Sequence, residues 1–304
     1  MLGSWFWKDG ALLRAEEAVA RLDDAELSQG YGCYEVLKLR EGLVYFPEFH
    51  EERLFRSLAL VGIEHALQPG FLKRAIAELA EANGLSDANV KVIAIGRPAA
   101  SAECRILCLP PIYPPADAPS QGVACLLFRG QRQFPRAKSL SLLLSTVAYR
   151  AAAARSCYEA LLVNALGQIT EGTRMNLFYA EAEASPGGAL FTPPAEQVLE
   201  GVTRRTLMEA LAAAGRPVRE RPLGLEEALS GRYALMVSST SNRALPVRSL
   251  LGPLDPDAQG LGAELGPPVA LGRSAALDEA VGIYDEYLAA YAGAGAELSP
   301  SADA

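Results

Sequence analysis

The sequence is poor in the residues that build metal sites and disulfide frameworks. Its 304 residues include only two histidines, His50 and His65, and five cysteines, an odd number with no C-x-x-C pair. Structural zinc sites usually combine cysteine and histidine ligands, so we expect no bound metal. The cysteines are expected to be buried free thiols in a reducing compartment.

An excess of positive charge is also missing. The chain carries 36 acidic and 28 basic side chains, which gives a net charge of −8. Binding to nucleic acid without sequence preference needs a broad basic surface, and aromatic residues are not interleaved with basic ones here. We therefore exclude nucleic-acid binding, although a local cationic pocket for a small anion is compatible with this charge.

Long apolar runs are absent as well. The longest, such as residues 139–148, fall well short of the length that crosses a bilayer. The apolar N-terminal residues 1–7 are too few for the core of a signal peptide. We therefore expect a cytoplasmic protein without a membrane segment.

Half of the residues are hydrophobic, which is enough for a substantial core. The apolar spacing predicts both element types along the whole chain. Strands are predicted over 36–40, 43–46, 90–95, 105–109, 160–164, 177–180 and 233–237, and helices over 49–61, 71–82, 142–154 and 202–214. A proline-rich stretch, 110–122, predicts a linker because proline fixes φ and removes a backbone donor.

This pattern predicts an α+β fold with two domains. The first spans 1–109 and the second spans 123–292. The small, polar and prolyl residues 293–304 are expected to form a disordered tail.

Two charged side chains suggest chemistry. Lys138 opens an otherwise apolar segment, and burial of its ammonium would favour a neutral amine that can form a Schiff base. The alternative is a solvated lysine at a helix start. Glu171 lies between two predicted strands, where a carboxylate could pair with a protonated ring nitrogen. The alternative is an exposed glutamate in a turn.

Three further stretches could bind an anion. Gly201-Val202-Thr203 opens a helix, whose first-turn N–H groups and dipole favour phosphate. Ser239-Thr240 follows a strand and offers hydroxyls. Arg53 could supply a bidentate guanidinium. Taken separately, the three could equally be a capped helix, a polar loop and a surface arginine.

In combination these motifs closely resemble the class IV aminotransferases, the fold-type IV enzymes that use pyridoxal 5'-phosphate (PLP). The resemblance runs from about residue 5 to about residue 247. It rests most on Thr170-Glu171-Gly172 followed by Asn176-Leu177-Phe178, and on Leu199-Glu200-Gly201-Val202-Thr203. It implies the two-domain fold of the D-amino-acid aminotransferases and a homodimer.

The resemblance also implies a role for each matching residue. Lys138 would bind the cofactor covalently and carry the proton between Cα and the cofactor, while Glu171 would keep the pyridine nitrogen protonated. Leu199 would pack against the cofactor ring, and Tyr34 would line the substrate side. The cofactor phosphate would be bound by Arg53, the amides of Val202 and Thr203, Ser239 and Thr240.

The substrate is harder to infer. Lys138-Ser139-Leu140 resembles the D-amino-acid enzymes, and branched-chain enzymes tend to have a tyrosine in place of Leu143. The well-known D-specific enzymes, however, bind the substrate carboxylate with an arginine and a histidine two residues apart. The corresponding region, 95–101, offers Arg97 and no histidine. Arg97 could replace that pair or be an ordinary loop residue, and Arg243 could reach a substrate carboxylate or face solvent.

Several functions therefore compete. Within the family they are transamination of branched-chain L-amino acids or of D-amino acids with a 2-oxo acid such as 2-oxoglutarate, cleavage of aminodeoxychorismate by a lyase, and transamination of amines. Leu140, Leu142 and Leu143 argue against the lyase, which typically has a polar residue just after the lysine. Outside the family, a non-catalytic binding module would have no reactive lysine.

Overall fold

A computed structural model of the protein describes residues 1–297. The chain divides into two compact units. The first contains Met1–Tyr113 and Arg136–Leu142, and the second contains Pro114–Pro135 and the described residues from Leu143 onward. The division after Tyr113 falls inside the predicted linker 110–122. The predicted second domain included residues 136–142, but this segment, with Lys138, packs in the first unit.

The first unit is an antiparallel sheet with two long helices. Its strand order is β2-β1-β6-β5-β3-β4. The strands are β1 (Trp5–Lys8), β2 (Ala11–Arg14), β3 (Gly32–Arg40), β4 (Leu43–Val44), β5 (Ala88–Arg97) and β6 (Ala100–Leu109). The helices are the short α1 (Ala25–Ser28), α2 (Pro47–Leu60) and α3 (Phe71–Asn83).

The predicted hairpin at residues 41–42 is confirmed. Leu39 pairs with Val44 and Arg40 with Leu43, and two residues join the strands. Glu41 and Gly42 both have positive φ, 51° and 77°. Such backbone angles match the right-handed twist of a two-residue hairpin, which explains why glycine occupies the second position.

The core of the first unit lies between the sheet and helices α2 and α3. Leu54 and Leu58 of α2 and Ile76 and Leu79 of α3 are fully buried with the sheet residues Leu37, Val90, Val92 and Ile106. These apolar positions recur at helical spacing in the helices and at every second residue in the strands. The predicted strand and helix types are correct here.

The second unit is a larger mixed sheet with the strand order β12-β11-β10-β14-β15-β7-β8-β9-β13, and β16 pairs with β15. The strands are β7 (Val123–Arg129), β8 (Glu159–Val163), β9 (Gln168–Gly172), β10 (Asn176–Glu181), β11 (Phe191–Thr192), β12 (Arg219–Glu220), β13 (Leu223–Gly224), β14 (Tyr233–Ser239), β15 (Arg243–Leu254) and β16 (Val269–Ala270). The helices are α4 (Ala118–Gln121), α5 (Leu143–Ala153), α6 (Val202–Ala213), α7 (Leu225–Leu229), α8 (Pro256–Gln259) and α9 (Ala275–Glu297).

The central strands of this sheet are covered on both faces. Strands β15, β7 and β8 run parallel, and every residue of β8 is buried. Leu161 and Val163 pack in one hydrophobic cluster with Leu177 and Val237 of neighbouring strands. On the opposite face, Phe128 and Leu162 pack with the small residues of α5. Parallel strands typically have both faces buried in this way, which accounts for their continuous apolar sequence.

Two predicted segments differ from the structure. Residues 118–121 of the predicted linker form the helix α4, because a proline in the first turn of a helix lacks only an N–H that would have no intrahelical partner. Helix α9 extends to Glu297, so residues 293–297 are helical where the sequence suggested a disordered tail. The remaining residues of that predicted tail, 298–304, lie outside the described part of the chain.

None of the helices within residues 1–297 is long and apolar enough to cross a membrane. The same residues contain no cluster of three or more His, Cys, Asp or Glu side chains that could hold a metal ion. All five cysteines are buried and unpaired with one another.

Candidate active site

The backbone around Lys138 is held against β3. The Tyr34 amide donates to the Lys138 carbonyl at 2.9 Å, and the Leu140 amide donates to the Gly32 carbonyl at 2.8 Å. The Lys138 amide donates to Ser57 Oγ at 3.1 Å. A Cβ at Gly32 would collide with the Ala94 carbonyl and the Leu140 side chain, so this close approach needs glycine. Lys138 therefore has a fixed main chain.

The side chain of Lys138 lies over Tyr34. Its Nζ is 4.4 Å from the centroid of the Tyr34 ring, within the range of a cation–π interaction. The lysine is half-buried. The structure thus brings two sequence-predicted residues together, the proposed covalent ligand and the proposed substrate-side tyrosine.

A buried charged cluster lies on the elements beside Lys138. Glu35 of β3 is fully buried and accepts hydrogen bonds from Arg53 Nε at 2.8 Å and Nη2 at 2.6 Å. His50 Nδ1 is 2.7 Å from the same carboxylate. Burial alone would raise the pKa of Glu35, but the Arg53 charge and the hydrogen bonds from Arg53 and His50 lower that pKa to about 2.

Burial lowers the pKa of His50 despite the Glu35 charge, so the ring is neutral at pH 7. A neutral ring carries one N–H, and the carboxylate can only accept, so we place the proton on Nδ1. The Nε2 atom is then a buried acceptor, and no described residue donates to it.

In the second unit, Glu171 is held at both carboxylate oxygens. It lies near the end of β9 and is 4% exposed. Its Oε2 accepts the backbone N–H of Leu199 at 3.1 Å, and its Oε1 is 3.3 Å from Arg132 Nη1. Two predicted cofactor residues, Glu171 and Leu199, are thus in direct contact. The exposed-turn alternative for Glu171 is wrong.

The N-terminus of α6 has the features of an anion cradle. Its N-cap residue, Gly201, is extended (φ −63°, ψ 142°), and no side chain caps the first turn. A Cβ at Gly201 would collide with the Asn176 side chain, whose Nδ2 donates to the Leu199 carbonyl at 2.7 Å. Asn176 therefore connects the predicted signature segment to the segment that precedes Val202 and Thr203.

The turn between β14 and β15 supplies hydroxyl groups. Ser239 ends β14, and Thr240 follows it. The Asn242 amide and its Nδ2 donate to Ser239 Oγ at 3.3 and 3.2 Å. Neighbouring Ser238 has a buried Oγ without a hydrogen-bond partner among the described residues. Uncapped helix amides and hydroxyls are donors that suit a phosphate, so this unit fits a phosphate-bearing cofactor.

The two predicted substrate arginines are both paired. Arg97 donates to Asp24 Oδ1 and Oδ2, each at 2.9 Å, and to Glu103 Oε2 at 3.1 Å. Its pKa is raised by the Asp24 hydrogen bond. Arg243 donates to Asp285 at 3.1 Å and is about half exposed. These contacts favour the alternatives in which Arg97 is a loop residue and Arg243 faces solvent.

Sequence reasoning did not single out three charged residues that the structure buries or pairs. Glu35 supports Arg53, and Arg132 pairs with Glu171. Glu159 is fully buried in β8, where its Oε1 accepts from the Ala160 amide at 2.9 Å and from the Thr173 amide at 3.1 Å. Burial raises the pKa of Glu159. The alternating pattern of β3 could have predicted that Glu35 is buried, because Glu35 lies on the same face of the strand as Leu37 and Leu39.

A lysine with a fixed main chain, a buried carboxylate and an uncapped helix N-terminus are each groups that an enzyme with a phosphorylated aldehyde cofactor uses. A family model described as amino-transferase class IV matches residues 32–250. The chain belongs to this PLP-dependent family of enzymes.

Three curated relatives are similar over most of the chain. The D-alanine aminotransferase of Bacillus licheniformis is 25% identical, and the match covers 80% of this chain and 87% of that protein. A putative branched-chain-amino-acid aminotransferase of Methanocaldococcus jannaschii is 26% identical, with the same two shares. The aminodeoxychorismate lyase of Bacillus subtilis is 26% identical, with shares of 80% and 82%.

Solved structures show the same fold. The PLP-bound form of a hypothetical aminotransferase from Mycobacterium tuberculosis matches with a TM-score of 0.73 and 20% identity, over 94% of this chain and 99% of that one. The branched-chain amino acid aminotransferase from Escherichia coli matches with a TM-score of 0.74 and 21% identity, over 92% of each chain. The predicted family, α+β fold, enzyme class and cofactor are confirmed.

Proposed function

We propose that the protein catalyses transamination between an amino acid and a 2-oxo acid, with Lys138 as the residue that holds the cofactor and moves the proton. The observation that carries this proposal is the environment of Lys138. Two hydrogen bonds, with the Tyr34 amide and Ser57 Oγ, fix its backbone, and its amine lies over the Tyr34 ring. A surface lysine would not need such fixation.

Bound PLP supplies an aldehyde that condenses with amino groups and a pyridinium ring that accepts the electrons released at Cα. Lys138 Nζ would provide the amine that holds the cofactor, and its free amine would carry the proton between Cα of the substrate and the cofactor. Glu171 would accept a hydrogen bond from the ring nitrogen and so keep it protonated. Arg132 and the Leu199 amide hold the two oxygens of this carboxylate.

The remaining predicted residues bind and orient the cofactor and the substrate. Arg53 contributes a fixed positive charge toward the phosphate, and Glu35 and His50 keep its guanidinium in place. The amides of Val202 and Thr203, with Ser239 and Thr240, donate to the phosphate oxygens. Leu199 packs against the ring, and Tyr34 lines the substrate side beside Lys138.

The donor is an amino acid of either the branched-chain L-type or the D-type. Relatives named for both reactions are similar to this chain at nearly equal identity. The lyase reaction is the rival, because a relative named for it is equally similar. The lyase alternative predicts that aminodeoxychorismate is consumed and that no amino acid converts the cofactor.

We also propose that the protein is a cytoplasmic homodimer. Its five buried free thiols suit a reducing compartment. Large apolar side chains are exposed on the first unit, including Leu22, Ile112 and Tyr113, and they could be covered by a second copy. Light scattering of the purified protein at micromolar concentration measures the mass, and a mass of one chain would contradict the dimer.

The test is an absorbance spectrum of the purified protein, followed by titration with D-alanine, D-glutamate, L-leucine and L-glutamate in turn. We expect a visible cofactor band that one enantiomeric series converts to the amine form. Lys138→Ala should lose the band shift and all turnover, whereas Lys73→Ala, a change on the exposed side of α3, should keep both. Normal turnover by Lys138→Ala would overturn the proposal.

A further inference from the structure

The last described helix, α9, packs against α6, the helix whose first turn is assigned to the cofactor phosphate. Leu207 and Leu211 of α6 are buried, as are Leu277 and Leu288 of α9. The mechanism given above uses no residue of α9. A polar contact inside this otherwise apolar packing therefore needs an explanation, since buried polar groups specify one arrangement of the elements they join.

That contact is made by Tyr284. Its hydroxyl lies 2.9 Å from Thr206 Oγ1, and both side chains are buried. Thr206 Oγ1 also lies 3.0 Å from the Val202 carbonyl, to which it donates. A threonine hydroxyl carries a single hydrogen, so Thr206 accepts the hydrogen bond from Tyr284. Tyr284 thus reaches Val202 through one intermediate hydroxyl.

Thr206 also lies close to the second residue of α6. Its Oγ1 is 3.4 Å from the Thr203 carbonyl. Burial raises the pKa of the Tyr284 phenol to about 12, so the phenol stays protonated and donates to Thr206. Through Thr206, one hydroxyl connects to the carbonyls of the two α6 residues whose amides are assigned to the phosphate.

Asp285, the next residue of α9, lies near the turn between β14 and β15, which is the second element assigned to the phosphate. Asp285 pairs with Arg243, which begins β15 directly after the turn that contains Ser239 and Thr240. Arg243 has a φ of 54°, a left-handed conformation that is unfavourable for a residue with a side chain. The ion pair is about half exposed, so on its own it contributes little to the free energy of folding. Adjacent residues of α9 nevertheless contact both elements.

We propose that Tyr284 is a positioning residue for the phosphate cradle, which through Thr206 sets the first turn of α6 in the orientation that binds the cofactor phosphate. This inference rests on the proposed function, because it takes the phosphate site at Val202 and Thr203 from it. Tyr284 touches no reacting atom. Its effect passes through the Thr206 hydroxyl.

The test compares two ligands that differ only by the phosphate. The cofactor-free full-length chain is titrated with PLP and with pyridoxal, and binding is followed by absorbance. Tyr284→Phe removes only the hydroxyl and keeps the buried ring. We expect its PLP affinity to fall about 5- to 10-fold, as for the loss of one buried hydrogen bond, and its pyridoxal affinity to stay unchanged. The control is Glu286→Gln, a change at an exposed position of the same helix, for which neither affinity should change.

A second measurement detects the environment of the phosphate group directly. The ³¹P NMR signal of PLP bound to Tyr284→Phe should shift from the wild-type position, whereas that of Glu286→Gln should not. Equal losses of PLP and pyridoxal affinity, or no loss at all, would overturn the positioning role. If the wild-type chain binds pyridoxal as tightly as PLP, the phosphate site of the proposed function fails instead, so the two failures are distinguishable.

Discussion

Glu35 and Arg53 form a buried ion pair. Two guanidinium nitrogens of Arg53 donate to the Glu35 carboxylate, and the side chains are 0% and 5% exposed. An arginine can be buried only when its charge is compensated, so Glu35 makes the interior position of Arg53 possible. If Arg53 binds the cofactor phosphate, as proposed, Glu35 keeps its guanidinium in a fixed position.

The first prediction concerns acid stability. The folded-state pKa of Glu35, about 2, lies below its ordinary value of about 4.3, so the pair contributes its full stability above that value. The contribution is lost as the pH falls from about 4.3 toward 2. Glu35→Gln should lower the free energy of unfolding by about 3–5 kcal/mol at pH 7, because it leaves Arg53 buried without its counter-charge.

Urea unfolding at pH 7, 4 and 3 measures this difference. The difference in free energy of unfolding between the wild type and Glu35→Gln should narrow as the pH falls, since the unfolded wild type takes up a proton at Glu35 that the folded state does not bind. Glu48→Gln, an exposed change at the start of α2, serves as the control and should follow the wild type at each pH. Parallel curves for Glu35→Gln and the wild type would contradict the prediction.

The second prediction concerns Arg97. Its contacts with Asp24 and Glu103 hold α1 to strands β5 and β6, so its loss should weaken the fold rather than the binding of substrate. We expect Arg97→Ala to lower Tm and to change the KM of the amino acid by less than about threefold. An arginine that binds the substrate carboxylate would instead cost about 1.5–3 kcal/mol, or tenfold and more in KM.

Arg105→Ala is the matched control, because Arg105 pairs with Glu103 in the same network but does not bind Asp24. Steady-state kinetics with the best donor and thermal unfolding are measured for both variants. If both variants keep KM values similar to that of the wild type and have a lower Tm, the result would support a structural role for Arg97. A large rise in KM for Arg97→Ala alone would assign the substrate carboxylate to this residue.

Local sequence patterns were enough to predict the helices and strands, but not which distant segments pair with one another. The turn at Glu41-Gly42 and the helix end at Gly84 follow from the backbone angles that those residues adopt. The pairing of the 136–142 segment with β3 joins residues about a hundred positions apart, and no local pattern encodes it. The domain assignment of Lys138 therefore required the structure.

The charged clusters show the same limit. Motif order indicated Arg53 and Glu171, but their counter-charges lie 18 and 39 residues from them in sequence. A free-standing carboxylate and a buried, paired one look alike in sequence, since burial depends on long-range packing. Glu35 was the exception in principle, because strand alternation places it on the buried face of β3.

The last prediction concerns Arg132. Its Nη1 is 3.3 Å from Glu171 Oε1, and the Leu199 amide binds the other oxygen, so Arg132 fixes the orientation and charge of this carboxylate. Arg132→Met keeps the side-chain length but removes the charge. We expect kcat to fall about 10- to 100-fold, as for the loss of a charged hydrogen bond worth about 1.5–3 kcal/mol. Arg132→Lys, which keeps the charge, should recover part of the rate.

Arg129→Met is a suitable control, because Arg129 forms an ion pair with Asp255 at the end of β7 and is 41% exposed. Its kcat should stay within about twofold of the wild type, since exposed pairs contribute little. The rate of the first half-reaction, measured by stopped-flow absorbance with excess amino acid, separates an effect on chemistry from an effect on product release. A wild-type half-reaction rate in Arg132→Met would contradict the role of Arg132 in orienting Glu171.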